Sequence, residues 1–117
     1  MKLTYILPTL MGLEAISPDK LHEIITNERV TVLDFNTRQS WKKAHVPGAL
    51  HLDPMGYTEN DLPTDKEVTL VFYCSNPMCR KAPNTARRAE KMGYTNVKVM
   101  SAGINGWLSA GLPTEGG

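Results

Sequence analysis

Hydrophobic and polar positions along the chain switch between a strand-like and a helix-like rhythm. Val30-Thr31-Val32-Leu33-Asp34-Phe35 and Val68-Thr69-Leu70-Val71-Phe72-Tyr73 are nearly continuous runs of β-formers, the composition of strands covered on both faces. Leu13 to Ile16, Leu50-His51-Leu52 and Asn96 to Met100 predict three shorter strands. Between them lie helices. Ser17 as N-cap and Pro18 at the first helical position open one of them, with Leu21, Ile24 and Ile25 on one face as far as about Asn27. A second helix runs from Asn84 to Met92 and stops at Gly93; a last one, Ile104 to Ala110, carries Trp107 and ends in Gly111 and Pro113. Asn36 to Lys43 reads as a loop plus a helical turn with Trp41 as its core anchor, and His45 to Ala49 as a tight turn. Met55 to Lys66, where Gly, Asn, Asp and Pro recur, reads as a long surface loop. Strands alternating with helices predict an α/β fold: a five-stranded, mostly parallel sheet with helices on both faces. Ligands in such folds sit beyond the carboxyl ends of the strands.

The 117 residues are expected to form a single domain, 1-117, with a core roughly over 13-113 and an N-terminal arm over 1-12. Lys and Arg total 13 against 12 Asp and Glu, a balance that favours neither nucleic acid nor a membrane surface as partner. The N-terminal apolar residues are interrupted by Thr4, Pro8 and Thr9, so no signal peptide or span is expected and the cytoplasm is the expected setting. Two cysteines make no disulfide framework, and three scattered histidines make no metal site. His22 lies off the helical stripe as a surface residue, and His51 has no evident partner. Arg87, Arg88 and Lys91 read as a solvated helix face, with docking of an acidic protein as the alternative use.

One stretch carries chemistry. The strand ending at Tyr73 breaks into a short loop that begins with Cys74 and closes with Arg80, and a helix follows. Strand, tight loop and helix N-terminus together form an anion cradle, where loop N–H groups converge and the helix dipole adds positive potential. A cysteine there is expected to ionise readily and act as a nucleophile, with Arg80 as an anion clamp.

The motifs Leu33-Asp34, His45-Val46-Pro47-Gly48-Ala49, Val71-Phe72-Tyr73-Cys74, Gly93-Tyr94-Thr95-Asn96-Val97, and Gly103 with Trp107 and Gly111-Leu112-Pro113 follow the order and spacing of a rhodanese homology domain, which the chain resembles over roughly 13-113. The resemblance implies a cysteine that carries sulfur as a persulfide, from thiosulfate or another persulfide to a thiophilic acceptor such as a protein thiol, without a cofactor. It makes Cys74 the nucleophile, gives the N–H groups of Ser75, Asn76, Met78 and Cys79 to stabilising its charge, and makes Asp34 and His45 architectural beside the site.

The chain departs from the family pattern in three places. Asp34-Phe35-Asn36 stands where Asp-x-Arg is usual, so an ion pair beneath the loop is either missing or taken over by Arg38. Ser40 replaces an acidic residue beside Trp41. The loop is seven residues long, Cys74 to Arg80, with Pro77 where glycine is common. A Cys-x5-Arg loop resembles that of cell-cycle phosphatases and eukaryotic arsenate reductases, and a wider ring of donors suits a tetrahedral oxyanion. Against this, Pro77 offers no N–H, and a phosphatase would need an acid from Glu59, Asp61 or Asp65. Sulfur transfer therefore ranks first, an arsenate reductase-like or phosphatase-like enzyme second, and a non-catalytic module for partner binding or redox sensing third. Cys79 divides evenly between a bland half-buried residue and a resolving thiol for Cys74.

Overall fold

The computed structural model describes residues 13–117; the expected arm over 1-12 lies outside them. Five strands, β1 (Glu14–Ala15), β2 (Val30–Asp34), β3 (Leu50–His51), β4 (Thr69–Tyr73) and β5 (Val97–Val99), form one sheet in the order β1-β5-β4-β2-β3. Every pairing is parallel. The helices are α1 (Pro18–Asn27), α2 (Arg38–Lys43), α3 (Lys81–Lys91) and α4 (Gly103–Ser109), and a 3-10 turn (Glu59–Asp61) lies within the long loop after β3.

Alternation along the two long strands assigns the faces. Leu33, Leu70, Phe72, Val97 and Val99 pack with Ala82, Ala86 and Ala89 of α3. Val32, Val71, Tyr73 and Met100 pack with Leu21 and Ile24 of α1 and with Ile104 and Trp107 of α4. The sheet is thus covered on both sides, as a parallel sheet must be. The Ser17 hydroxyl accepts from the Lys20 N–H at 3.1 Å, the expected cap of α1.

Four details differ from the sequence reading. The helix read from Asn84 begins at Lys81, since Pro83 falls in the first turn, where its missing N–H breaks no helical bond. Trp41 is half-buried rather than a core anchor: its indole N–H donates to Ala49 O at 3.0 Å and its ring stacks on His45 at 4.2 Å. His22 is half-buried, edge-on to Trp107 at 5.9 Å between ring centroids. Arg88 is no solvated residue. Its guanidinium donates to Pro54 O at 2.5 Å and Tyr57 O at 2.9 Å and lies over the Tyr57 ring, which pins the loop after β3 to α3.

Candidate active site

Strand β4 is flanked by β2 and β5 and delivers Cys74 to the carboxyl rim of the sheet. Cys74 is only 3% exposed. Its carbonyl is held from two sides: the Asn36 side-chain N–H donates to Cys74 O at 3.1 Å, and the Ile104 N–H at 2.9 Å. The Asn105 N–H donates to Ser75 O at 3.0 Å, and the Ser75 hydroxyl donates to Asn36 Oδ1 at 2.6 Å. The neutral amide of Asn36 therefore does the bracing that the sequence reading sought in an ion pair, and Arg38 lies exposed at the start of α2.

Gly103 explains why α4 can approach so closely. Its φ is +67°, and a Cβ there would come within 2.4 Å of Ser75 C and 2.7 Å of Asn76 N. Only glycine fits both the backbone angle and the contact.

Below the loop, the Asp34 carboxylate is fully buried. It accepts from the Tyr73 hydroxyl and, at 2.7 Å, from the Asn36 N–H. Burial raises the Asp34 pKa above its ordinary value, with the Tyr73 and Asn36 hydrogen bonds pulling the other way. Burial together with the Asp34 charge pushes the Tyr73 phenol far above its usual range, so it keeps its proton and donates. Asp34 thereby fixes the ends of β2 and β4 and positions Asn36. His51 Nε2, 2.8 Å from Asn36 O, donates to the same residue, so its partner is one the sequence did not reveal. His45 is buried in its turn, where Nδ1 donates to Trp41 O at 2.7 Å and the backbone pairs with Glu115.

The loop itself is closed by a disulfide between Cys74 and Cys79, with Cα atoms 6.4 Å apart. The redox state of this pair, which the sequence leaves open, is here the oxidised one, so Cys74 carries no free thiol in this form. Asn76 turns the chain back: its Oδ1 accepts from the Met78 N–H at 2.9 Å and its carbonyl from the Cys79 N–H at 3.1 Å. Two of the N–H groups assigned to the cradle are thus spent inside the loop in this oxidised form. Met78 is 80% exposed at the tip. Arg80 is the N-cap residue of α3 and is exposed, and no ion pair engages it among the described residues.

The acids proposed for leaving-group protonation are directed elsewhere. Glu59 pairs with Lys66, whose ammonium also donates to Met92 O just past the C-terminal end of α3. Asp65 precedes β4 and lines a cleft with Arg29 at the amino ends of the strands, opposite the rim that carries Cys74. Asp61 accepts from the Thr58 N–H at 2.8 Å within its own turn.

A parallel α/β sheet with a cysteine loop between its central strand and a helix defines the class, and the rhodanese-like domain model matches residues 17–110: the chain belongs to that family. Thiosulfate sulfurtransferase GlpE of Actinobacillus pleuropneumoniae serotype 5b (strain L20) is 29% identical over 100 residues, covering 86% of this chain and 91% of the relative. Arsenate reductase 2.1 of Oryza sativa subsp. japonica is 28% identical over 100 residues, covering 75% of this chain and 62% of that protein. Among solved structures, the BH2092 protein of Bacillus halodurans superposes with a TM-score of 0.81 at 23% identity, covering 96% of this chain and 83% of the other. No helix among the described residues is long and apolar enough to cross a membrane.

Proposed function

We infer that the chain is a sulfurtransferase with Cys74 as its sulfur carrier. The carrying observation is the place of Cys74: at the carboxyl end of β4, its carbonyl gripped by Asn36 and Ile104, ahead of the N-terminus of α3. Reduction of the disulfide frees the thiol at a point where the helix dipole and the loop N–H groups of Ser75 and Asn76 favour its ionised form, joined by those of Met78 and Cys79 where the loop releases them from Asn76. The thiolate attacks the sulfane sulfur of thiosulfate or of another persulfide, and the old sulfur–sulfur bond breaks; from thiosulfate, sulfite leaves with the electron pair. The resulting persulfide passes its outer sulfur to an acceptor thiolate, small or protein-borne, and Cys74 departs as thiolate. Arg80, exposed at the rim, draws the anionic donor toward the loop. Similarity to a protein named thiosulfate sulfurtransferase supports the same reading.

The test is turnover of thiosulfate and cyanide to thiocyanate by the reduced protein, expected in the wild type and abolished in Cys74→Ser. A second reading, an oxyanion enzyme in which Cys74 attacks and Arg80 clamps, draws on the Cys-x5-Arg spacing and on similarity to Arsenate reductase 2.1. Its phosphatase form is weakened by the direction of Glu59, Asp61 and Asp65, none of which is turned toward the loop to protonate a leaving alcohol. Arsenate and an aryl phosphate assayed in parallel separate the two. Turnover of none, with a partner still bound by Cys74→Ser, would indicate a non-catalytic module.

A further inference from the structure

We propose that Cys79 makes the chain a reductase of sulfane sulfur: it expels the sulfur held on Cys74 as hydrosulfide, and a dithiol partner restores the resulting disulfide. The proposal rests on the persulfide reading above and names the product and the partner that follow from it.

Three observations carry it. The two sulfurs are bonded to each other in the folded chain, so no rearrangement of the scaffold stands between Cys79 and Cys74. The turn that brings them together is built into the loop: Asn76 accepts from the N–H groups of both Met78 and Cys79, and Pro77 at its centre limits alternative backbone conformations. Finally, the two cysteines differ in access. Cys74 is buried, whereas Cys79 is half-exposed beside the protruding Met78. A persulfide on Cys74 therefore meets an internal thiol at high effective concentration, in competition with any external acceptor supplied, and where none is supplied the internal step is the one that empties Cys74.

The chemistry balances. After thiosulfate has loaded Cys74 and sulfite has left, the Cys79 thiolate attacks Sγ of Cys74. The Cys79–Cys74 bond forms and the bond to the outer sulfur breaks. Hydrosulfide leaves with the electron pair, and it is a better leaving group than an alkyl thiolate because its conjugate acid is the stronger acid. The outer sulfur is reduced by two electrons, and the two cysteine sulfurs are each oxidised by one. A dithiol then attacks Cys79, the accessible sulfur; Cys74 is displaced as thiolate, ready to be loaded again, and the dithiol ends as its own disulfide. Over one cycle thiosulfate and a dithiol become sulfite, hydrosulfide, a disulfide and one proton.

The experiment uses the full chain, reduced with dithiothreitol, freed of it and mixed anaerobically with thiosulfate. Sulfite, sulfide, free thiols and intact mass are then measured. The wild type is expected to release one sulfite and one sulfide per chain and to end as the internal disulfide, with further rounds only when dithiothreitol is returned. Cys79→Ser is expected to release sulfite, retain one added sulfur and yield sulfide at roughly a tenth of the wild-type level or less. Cys79→Ala, without a hydroxyl to place in the loop, reports the same step independently. If wild type and both variants alike keep the added sulfur, the internal step is overturned while the transferase reading stands. If none of them releases sulfite or gains sulfur, the persulfide reading fails and the reductive cycle falls with it.

Discussion

Replacing Gly103 with alanine tests whether the close approach of α4 holds the cysteine loop in place. Two costs add. An L-residue held at a φ of +67° pays about 1–2 kcal/mol for left-handed backbone. The new Cβ would also stand 2.4 Å from Ser75 C, 2.5 Å from Ser75 O and 2.7 Å from Asn76 N, all backbone atoms that no rotamer change moves aside; relieving such overpacking costs about 1–3 kcal/mol. Gly111 supplies the control, because its φ is +73° but nothing lies within 4 Å of its would-be Cβ. Gly111→Ala should bear only the first cost. Urea unfolding of the reduced proteins should therefore place Gly103→Ala about 1–3 kcal/mol below Gly111→Ala, a midpoint difference of roughly 1 M. Gly103→Ala should also slow uptake of sulfur by Cys74, since the displaced backbone is that of the loop. Equal unfolding midpoints for the two variants, within error, would refute the idea that α4 buttresses the loop.

Asn36→Ala removes a donor to the Cys74 carbonyl and an acceptor for the Ser75 hydroxyl; a loss of about 1–3 kcal/mol is expected in denaturant titration, together with faster alkylation of Cys74 in the reduced protein. Arg88→Met should cost a similar amount, about 1.5–3 kcal/mol for the charged donor. Limited proteolysis should then open the chain between Pro54 and Lys66 before any other segment. Asp34 gives a pH signature. Burial raises its folded pKa above the ordinary 3.8, so the folded state holds this proton more tightly than the unfolded state. Its contribution is therefore most favourable at low pH and is lost as pH rises from 3.8 through the raised value. Stability of the wild type relative to Asp34→Asn should fall over that interval, and a difference that stays flat or rises would contradict the burial argument.

Most of the layered architecture could be read from the chain because its strands are so unmixed. Val30 to Asp34 and Thr69 to Tyr73 are dominated by β-branched and aromatic residues, and Ser17-Pro18 marks the start of α1 without ambiguity. Cys74 was legible for the same reason, standing where a buried strand meets a loop. What escaped the reading are contacts that depend on register between distant strands. That Asn36 reaches Cys74 follows from Asp34 pairing with Tyr73, a fact that neither strand carries alone. The grip of Gly103 on Ser75 likewise needs α4 to return over the rim, and glycine beside a turn gives no hint of what presses on it. Arg88 looked solvated because its neighbours on α3 are polar; its targets are carbonyl oxygens of a loop more than thirty residues earlier, and backbone acceptors leave no trace in side-chain pattern.

The strand order also imposes a timetable on synthesis. β1 pairs with β5, Glu14 opposite Lys98, so the first strand described has no partner until the last has emerged. Before then β4 offers the bare backbone edge of Leu70, Val71 and Phe72, which β5 later covers, and a chain held with β4 emerged and β5 still inside the ribosome displays a sticky, half-finished sheet. Because so many contacts are non-local, folding should be slow for a chain of this size, and a chaperone that shields the β4 edge during translation should raise the yield of native protein more than one acting after release.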